Sequence, residues 1–318
     1  MTDAAHPALK LGGAFVYNGK LMQGAPILYF NRHTQQVERE LVYGEPWLRW
    51  AYETPLGRAS VWAFFKRPFF SRWYGKRMST PASASRVAPF IRSYDIQMGD
   101  FEKSADQYES FNDFFYRKLK SDARPMDSDE SALVFGADAR HKAVAVLGKE
   151  AEFFVKGQRF DLAKLLGDEK LAERYAGGTL VFSRLCPVDY HRFHFPCDGE
   201  AGAPVLIEGS LYSVNPIALA KKLSYLWENR RMRTELKTER FGTIQLLEIG
   251  ATNVGSIFQT FAPGAVKKGE EKGYFAFGGS ALITLFEPGK VTLAADLLEQ
   301  NAQGRELYAR MGTPMAKA

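Results

Sequence analysis

Bulky apolar residues recur every three or four positions between Tyr43 and Leu119, a spacing that places them on one face of successive α-helices. Ser110 is of a residue type that caps helices, and Pro125 is of a type that ends them. The pattern therefore predicts four helices in this part of the chain: Glu45–Tyr52, Gly57–Phe65, Ala84–Tyr94 and Phe111–Lys120.

From Leu133 onward, short apolar runs alternate with glycine-rich turns, a pattern typical of a compact domain with many short strands. The predicted fold is α+β, with a helical N-terminal region (residues 1–125) followed by a compact, mainly-β domain (residues 126–318). Short helices are expected at Leu162–Leu166 and near Pro216–Leu223. The expected strands are Ala143–Leu147, Glu152–Val155, Thr179–Leu185, Ile244–Ile249, Tyr274–Phe277 and Ala281–Glu287.

Composition narrows the class of protein. The 318 residues are 46% hydrophobic and 25% charged, which is the balance of a globular protein and argues against a disordered or fibrous one. We expect no transmembrane helix, because no run of 18 or more residues is continuously apolar, and no secretory signal within Met1–Lys20. Cys186 and Cys197 are too few for a disulfide scaffold and are expected to be free thiols.

The net charge of +6 lies entirely in the helical part of the chain. Residues 1–125 carry 18 Lys and Arg against 12 Asp and Glu, whereas residues 126–318 carry 24 of each. Val61–Met78 alone mixes five basic residues with seven aromatic ones, which suits the surface of an anionic membrane. A core helix with a solvated basic face would give the same pattern. Nucleic acid is not an expected partner, because no nucleic-acid-binding module is recognisable.

Two of the five histidines, His191 and His194, lie three residues apart within Asp189–Phe195. This spacing raises the possibility of a metal site, but zinc normally takes three or four protein ligands and the sequence offers no obvious further ones. On a strand, an odd separation also turns the two rings to opposite faces. Two hydrogen-bonded core histidines therefore remain an alternative at this point.

Gly278 and Gly279 stand directly before Ser280, between two predicted strands. Glycines in such a place usually mark a bulge or a close approach of the backbone, and spacing alone favours an ordinary bulge. The functional alternative is that the flexible Gly279 presents its carbonyl to the hydroxyl of Ser280.

Together these segments resemble the pyruvoyl-dependent phosphatidylserine decarboxylases. The DYHRFH and FGGS motifs, which hold the two histidines and Ser280, are specific at this separation, and residues 43–74 resemble the longer bacterial branch of the family. The resemblance covers most of residues 110–290, and five stretches carry it: Phe111–Pro125, Val155–Gly167, Asp189–Gly199, Gly209–Pro216 and Gly269–Ser280.

The resemblance implies that the chain is a proenzyme that cuts itself between Gly279 and Ser280. The Ser280 hydroxyl would attack the Gly279 carbonyl, with His194 as the base and Asp138 orienting it. Elimination and hydrolysis would then leave a pyruvoyl group at the head of an α chain (residues 280–318), which would pair with a β chain (residues 1–279) as a heterodimer.

The family's activity implies phosphatidylserine as the substrate, and phosphatidylethanolamine and carbon dioxide as the products. The lipid's amine would form a Schiff base with the pyruvoyl group derived from Ser280, so neither pyridoxal phosphate nor a metal is expected. His191 would assist proton transfer during decarboxylation. The expected location is the membrane periphery, on the cytoplasmic face.

The sequence departs from the family pattern around Asp138. The family's aspartate usually lies in a Pro-x-Asp-Gly context, whereas here the segment is Gly136-Ala137-Asp138-Ala139-Arg140. A non-catalytic, lipid-binding relative that does not cut itself is therefore an alternative. A biotinyl-like carrier module is a further alternative, but this sequence has no suitably placed lysine for one. A zinc hydrolase that uses the two histidines has still less support.

Overall fold

The computed structural model describes residues 9–11, 14–17, 20–21, 26–148, 160–252, 257–277 and 280–318. Its α-helices are α1 Glu45–Glu53, α2 Pro55–Ser60, α3 Pro68–Met78, α4 Val87–Tyr94, α5 Phe111–Phe115, α6 Leu162–Leu166, α7 Glu169–Tyr175, α8 Pro216–Leu219, α9 Tyr225–Glu228 and α10 Ala295–Ala302. A π-helical turn (Val61–Phe65) and two 3-10 turns (Pro81–Arg86 and Met98–Asp100) lie among the first five helices.

The strands are β1 Leu9–Leu11, β2 Ala14–Tyr17, β3 Lys20–Leu21, β4 Leu28–Asn31, β5 Gln36–Arg39, β6 Ala132–Val134, β7 Ala139–Val144, β8 Thr179–Leu185, β9 Arg192–His194, β10 Gly199–Ala201, β11 Val205–Ile207, β12 Arg231–Lys237, β13 Thr243–Ile249, β14 Ile257–Gln259, β15 Gly264–Val266, β16 Glu271–Phe275, β17 Ser280–Phe286, β18 Thr292–Leu293, β19 Glu306–Ala309 and β20 Pro314–Lys317.

One large sheet dominates the molecule. Its strand order is β15-β10-β12-β13-β17-β8-β7-β19-β4-β5, with β11 also paired to β12. β17 lies near the middle of this sheet, antiparallel to both β13 and β8. The N-terminal hairpin β4–β5 joins the same sheet, because β4 runs parallel to the C-terminal strand β19. The division of the chain at residue 125 stays a prediction.

A small sheet of three strands, β14-β16-β9, covers part of one face of the large sheet. Phe193 and Phe275 of the small sheet pack in one buried cluster with Leu185 and Leu282, on neighbouring strands of the large sheet. Successive side chains on a strand point to opposite faces, so alternate residues of β17 face the small sheet. This packing brings the histidine-bearing strand β9 over the start of β17.

The N-terminal helices form a separate aromatic cluster. Phe90, Phe111, Phe114 and Phe115 are buried together, and Phe277 inserts among them from the segment that leads to β17. The ring centroid of Phe277 lies 5.0 Å from those of both Phe111 and Phe115. The helices therefore pack against the chain at Phe277, three residues before Ser280. No helix of the described residues is both long and apolar enough to cross a bilayer.

The predicted α+β class is confirmed, as are the positions of α1, α6 and β8. The predicted helix at Phe111–Lys120 ends instead at Phe115. Beyond that residue the backbone pairs with the segment before it: Lys118 accepts from the amide of Glu102 (3.1 Å), and the amide of Lys120 donates to Asp100 (2.9 Å). These backbone hydrogen bonds between two segments take the place of further helical turns.

The strand expected at Tyr274–Phe277 begins earlier, at Glu271. The charged residues before it are typical of a turn. In the structure, however, Lys272 is buried and its Nζ lies 2.8 Å from Oε1 of Glu248 in β13. The helices α3, α7 and α10 were not predicted. The strand predicted at Glu152–Val155 lies outside the described residues.

Candidate active site

Ser280 opens strand β17 and is wholly buried. It pairs with Leu185 of β8, and strand alternation places its side chain on the face of Leu282, towards the small sheet. Its Oγ has no hydrogen-bond partner among the described residues. A buried hydroxyl without a partner is costly, and such costs are concentrated at functional sites. Gly278 and Gly279, at the predicted cleavage site, lie outside the described residues.

His191 precedes β9 and is also wholly buried. Its ring lies against Phe115, with the ring centroids 3.8 Å apart, and its Nδ1 lies 2.9 Å from the carbonyl oxygen of Asp189. Burial, and after it the charge of Arg117, lowers the pKa of His191 to about 3. The ring is therefore neutral near pH 7. Because a carbonyl can only accept, Nδ1 carries the hydrogen, and Nε2, which has no partner among the described residues, carries a free lone pair.

His194 lies on β9 and differs from its neighbour in that both ring nitrogens are engaged. Nε2 lies 3.1 Å from the hydroxyl of Tyr190, and Nδ1 lies 3.0 Å from the carbonyl of Gly269. Burial lowers the pKa of His194, while the Gly269 carbonyl and the nearby carboxylates of Glu271 and Asp138 act in the opposite direction. His194 is thus held as a neutral ring within electrostatic reach of Asp138.

Asp138 is buried immediately before β7 and is held from two sides. Arg124 donates to it through Nε (3.0 and 3.1 Å) and Nη2 (2.7 Å), and the amide of Met311 donates to Oδ1 (2.9 Å). No hydrogen bond joins Asp138 to His194 or Ser280 in the described part of the chain. The three residues of the predicted triad therefore lie in one region without forming a hydrogen-bonded relay.

Gly136 explains how the Asp138 segment comes close to the histidine strand. Its carbonyl accepts the amide of His194 (2.8 Å), and a Cβ at this position would lie only 2.5 Å from the carbonyl oxygen of His194. Only glycine permits this approach.

An apolar cavity of about 420 Å³ lies beside the start of β17. It is bordered by Leu185, which pairs with Ser280, and by Phe277, three residues before it. The helices supply a further part of its apolar wall, including Leu48, Tyr52 and Phe70. Sequence analysis did not identify this cavity, because its wall combines residues from distant parts of the chain.

A second, polar cavity of about 260 Å³ is lined by His194, Tyr190 and Arg124, together with Lys118 and Lys120. Arg124 connects it to Asp138 through the bonds described above. Among the described residues, no group of three or more His, Cys, Asp or Glu side chains is placed to hold a metal ion.

Comparison with known proteins decides the family. A family model described as phosphatidylserine decarboxylase matches residues 111–316. The chain belongs to the phosphatidylserine decarboxylase family. This membership confirms the prediction that it is a decarboxylase enzyme.

Three curated relatives, each named phosphatidylserine decarboxylase proenzyme, extend the match to most of the chain. The relative from Fusobacterium nucleatum subsp. nucleatum is 43% identical over 287 residues, covering 90% of this chain and 96% of its own length. The one from Clostridium novyi is also 43% identical, covering 90% and 97%. The one from Chlamydia muridarum is 42% identical over 297 residues, covering 93% and 99%.

A buried ionic network lies at the floor of the apolar cavity in this family member. Arg184 binds Glu40 (2.6 Å) and Glu306 (2.5 Å), while Arg140 binds Asp189 (2.6 Å) and also reaches Glu40 (3.2 Å). The network joins four segments that are distant in the chain, including β19 near the C-terminus. Removing one partner of such a buried pair typically costs about 3–5 kcal/mol, because a charge is left buried and uncompensated. These side chains were not identified from the sequence, where isolated charged residues give no sign of being paired.

Proposed function

We propose that the chain is a self-processing phosphatidylserine decarboxylase that acts at an anionic membrane surface. The single observation that carries the proposal is the position of Ser280. This serine starts a central strand, is buried with no hydrogen-bond partner among the described residues, and pairs with Leu185, which lines an apolar cavity of the size that takes small ligands.

In the first reaction, the Ser280 hydroxyl attacks the carbonyl of Gly279, and the amide between them becomes an ester to the serine oxygen. Elimination then frees residues 1–279 with a carboxylate at Gly279. Water hydrolyses the remaining double bond, releases ammonia and leaves a ketone at the head of residues 280–318. The two pieces stay together as a heterodimer, which the ion pair between Arg184 and Glu306 favours because it would join them.

His194 is the proposed base for this cleavage, with Asp138 supporting the charge that the ring acquires. The carboxylate of Asp138 acts on the pKa of His194 in the direction that this role needs. The ring has to leave at least one of its present partners, Tyr190 or Gly269, in order to reach the Ser280 hydroxyl.

The residues around Ser280 fit the pyruvoyl group that would form there, because its surroundings are buried and largely apolar. The group supplies an electron sink for the electrons left when carbon dioxide departs. His191 would hold and return a proton at Nε2, whose lone pair has no partner among the described residues. The neutral ring suits this role, since a protonated ring could not accept.

The substrate is held in the apolar cavity, whose wall is built by the helices that also carry the basic surplus. On α3 and the turn before it, four rings are 55–63% exposed: Trp62, Phe64, Phe69 and Trp73. The basic side chains of Arg67, Arg72, Lys76 and Arg77 are exposed on the same segment. Exposed rings beside basic residues favour a peripheral position on a membrane with anionic lipid. The proposed location is the cytoplasmic face.

A non-catalytic lipid-binding relative is the second candidate. The observation that favours it is that Asp138, His194 and Ser280 share no hydrogen bond among the described residues. Such a protein would bind vesicles but keep one uncut chain.

The deciding experiment compares wild type with Ser280→Ala on vesicles containing phosphatidylserine. We expect wild type to form the ethanolamine lipid and Ser280→Ala to form none. Ser183→Ala is the matched control, because Ser183 is also buried and lies in the neighbouring strand on the same face. The control should retain activity. Wild type that binds vesicles without decarboxylating would favour the second candidate and contradict the first.

A further inference from the structure

Arg117 is a buried cation with no acidic partner in the part of the chain that the structure describes. Its Nη2 donates to the carbonyls of Val188 (2.8 Å) and Asp189 (3.0 Å), and its guanidinium lies over the rings of Phe101 (4.4 Å) and Phe114 (4.7 Å). No carboxylate of the described residues forms an ion pair with it, and its Nε has no hydrogen-bond partner there. Burial lowers the pKa of Arg117 to about 10, so the side chain is still charged at neutral pH. A buried charge of this kind is costly, which makes a purely structural role an expensive one.

The carbonyl of Asp189 joins Arg117 to His191. It accepts from Nη2 of Arg117 and from Nδ1 of His191, which lies 2.9 Å away. The carboxylate of Asp189 is fixed separately, by Arg140 (2.6 Å) and by the amide of Cys186 (2.6 Å). With Asp189 held at both its carbonyl and its carboxylate, the position of the His191 ring is set by these contacts and by its packing on Phe115.

We propose that Arg117 is a positioning residue for decarboxylation: it fixes the Asp189 carbonyl, and that carbonyl holds His191 as the Nδ1–H tautomer with Nε2 free. The inference rests on the proposed function, because it needs His191 to act at Nε2. Arg117 touches neither Ser280 nor the apolar cavity, so it acts through His191 alone.

The positive charge of Arg117 also favours the neutral ring of His191. It disfavours a second proton on His191, in addition to the effect of burial. Two other charged side chains of the histidine segment have partners of opposite charge, Asp189 with Arg140 and Arg192 with Glu271. The thiol of Cys186 remains neutral, since burial raises its pKa. Among the described residues, Arg117 is thus the charged side chain that acts on the ring.

The test compares Arg117→Met and Arg117→Lys with Arg231→Met. Arg231 is a matched control, because it is also buried and burial lowers its pKa to about 10. It donates to the backbone carbonyls of Leu165, Trp227 and Asn229 and has no acidic partner among the described residues. It lies on β12, far along the chain from both histidines. Its loss should cost stability alone.

Two readouts are used on the full protein with phosphatidylserine vesicles. We expect Arg117→Met to lower kcat by about 10- to 100-fold with little change in KM, as is usual when the partner that orients an active group is removed. Arg117→Lys keeps the charge and should fall between Arg117→Met and wild type. Nitrogen NMR of labelled histidine should show the Nδ1–H tautomer at His191 in wild type and a mixture of tautomers in Arg117→Met.

The proposal is overturned if both Arg117 variants keep the wild-type kcat and tautomer, or if Arg231→Met lowers kcat to the same extent. If Arg117→Met fails to fold, the same criteria apply to Arg117→Lys. Failure of the proposed function looks different: wild type itself would then form no ethanolamine lipid, whatever the NMR of the Arg117 variants shows.

Discussion

The apolar cavity and the polar cavity lie near the same pair of histidines but share no lining residue among the described parts of the chain. The apolar cavity is walled by N-terminal helices and reaches Leu185 and Phe277, beside Ser280. The polar cavity carries Arg124 and His194 on its wall and contacts neither residue beside the serine. A lipid and water need different surroundings, and this molecule supplies them from different segments.

The two histidines follow the same contrast. His191 lies against the ring of Phe115, and its Nε2 has no partner among the described residues, whereas His194 borders the polar cavity with both nitrogens engaged. A neutral ring with a free lone pair suits proton transfer in a water-poor site. A ring beside a polar cavity has a route by which a proton can leave. Three residues of chain therefore separate two distinct chemical environments.

The largest effect is expected on the polar side. His194→Gln should slow self-cleavage by at least about 100-fold, which is the usual contribution of a positioned general base. The measurement is the fraction of cut chain over time after synthesis in a cell-free system. His33→Gln is the control and should be cut normally, since His33 lies in the loop after β4. Normal cutting of His194→Gln would remove His194 from the proposed reaction.

On the apolar side, Leu48→Trp should partly fill the cavity, because Leu48 of α1 lines it. Overpacking of this kind costs about 1–3 kcal/mol, so we expect kcat/KM for phosphatidylserine to fall by roughly tenfold or more. Self-cleavage should be unaffected. Leu56→Trp adds the same ring at a position that is 69% exposed and should leave kcat/KM near wild type. Equal losses in both variants would mean that the cavity does not hold the lipid.

A smaller effect is expected from the exposed aromatic rings of the N-terminal helical segment. Replacing Trp62 and Trp73 with Ser should weaken binding to anionic vesicles by about tenfold, because two exposed rings no longer insert at the headgroup level. Vesicle flotation measures this, and binding of wild type should weaken as salt rises. Replacing Phe258 and Leu298 is the control, since they are 44% and 38% exposed on other elements. If the control pair lowers binding equally, the aromatic face is not the contact surface.

The smallest effect is expected on the free energy of unfolding, through histidine rings that are buried in the folded protein. Burial lowers the pKa of His191 and of His141 to about 3. In the unfolded chain the same two rings take up a proton near pH 6.5. The folded protein should therefore lose stability through each ring as the pH falls from 6.5 towards 3. The loss at pH 5 is about 2 kcal/mol for each ring. Urea unfolding of uncut Ser280→Ala protein measures it, and adding His141→Gln should reduce the slope with pH. An unchanged slope would show that His141 titrates normally in the folded state.

The sequence predicted the elements whose patterns are local. α1 has apolar residues at helical spacing, α6 is capped by the side chain of Asp161, and β8 is a short, mostly apolar run. The DYHRFH and FGGS motifs marked His191 and Ser280. α3 was missed because its rings lie on both the cavity side and the exposed side, so no single apolar face is visible in the sequence.

Contacts between distant segments could not be predicted. Nothing in the local sequence shows that Arg124 binds Asp138, that Arg117 shares a carbonyl with His191, or that Lys272 is buried against Glu248. Each pair is brought together only when the sheets and helices assemble. The one local signal was Gly136, whose missing side chain lets its segment approach the histidine strand.

The central claim is that Ser280 is converted during self-cleavage, and intact mass spectrometry of the purified, denatured wild-type protein tests it most directly. The account predicts two pieces, residues 1–279 and 280–318, with the smaller piece lighter than a serine-headed peptide by one ammonia and blocked to Edman degradation. It also predicts one uncut chain for Ser280→Ala. A single uncut wild-type chain, or a small piece that begins with a free serine, would contradict it.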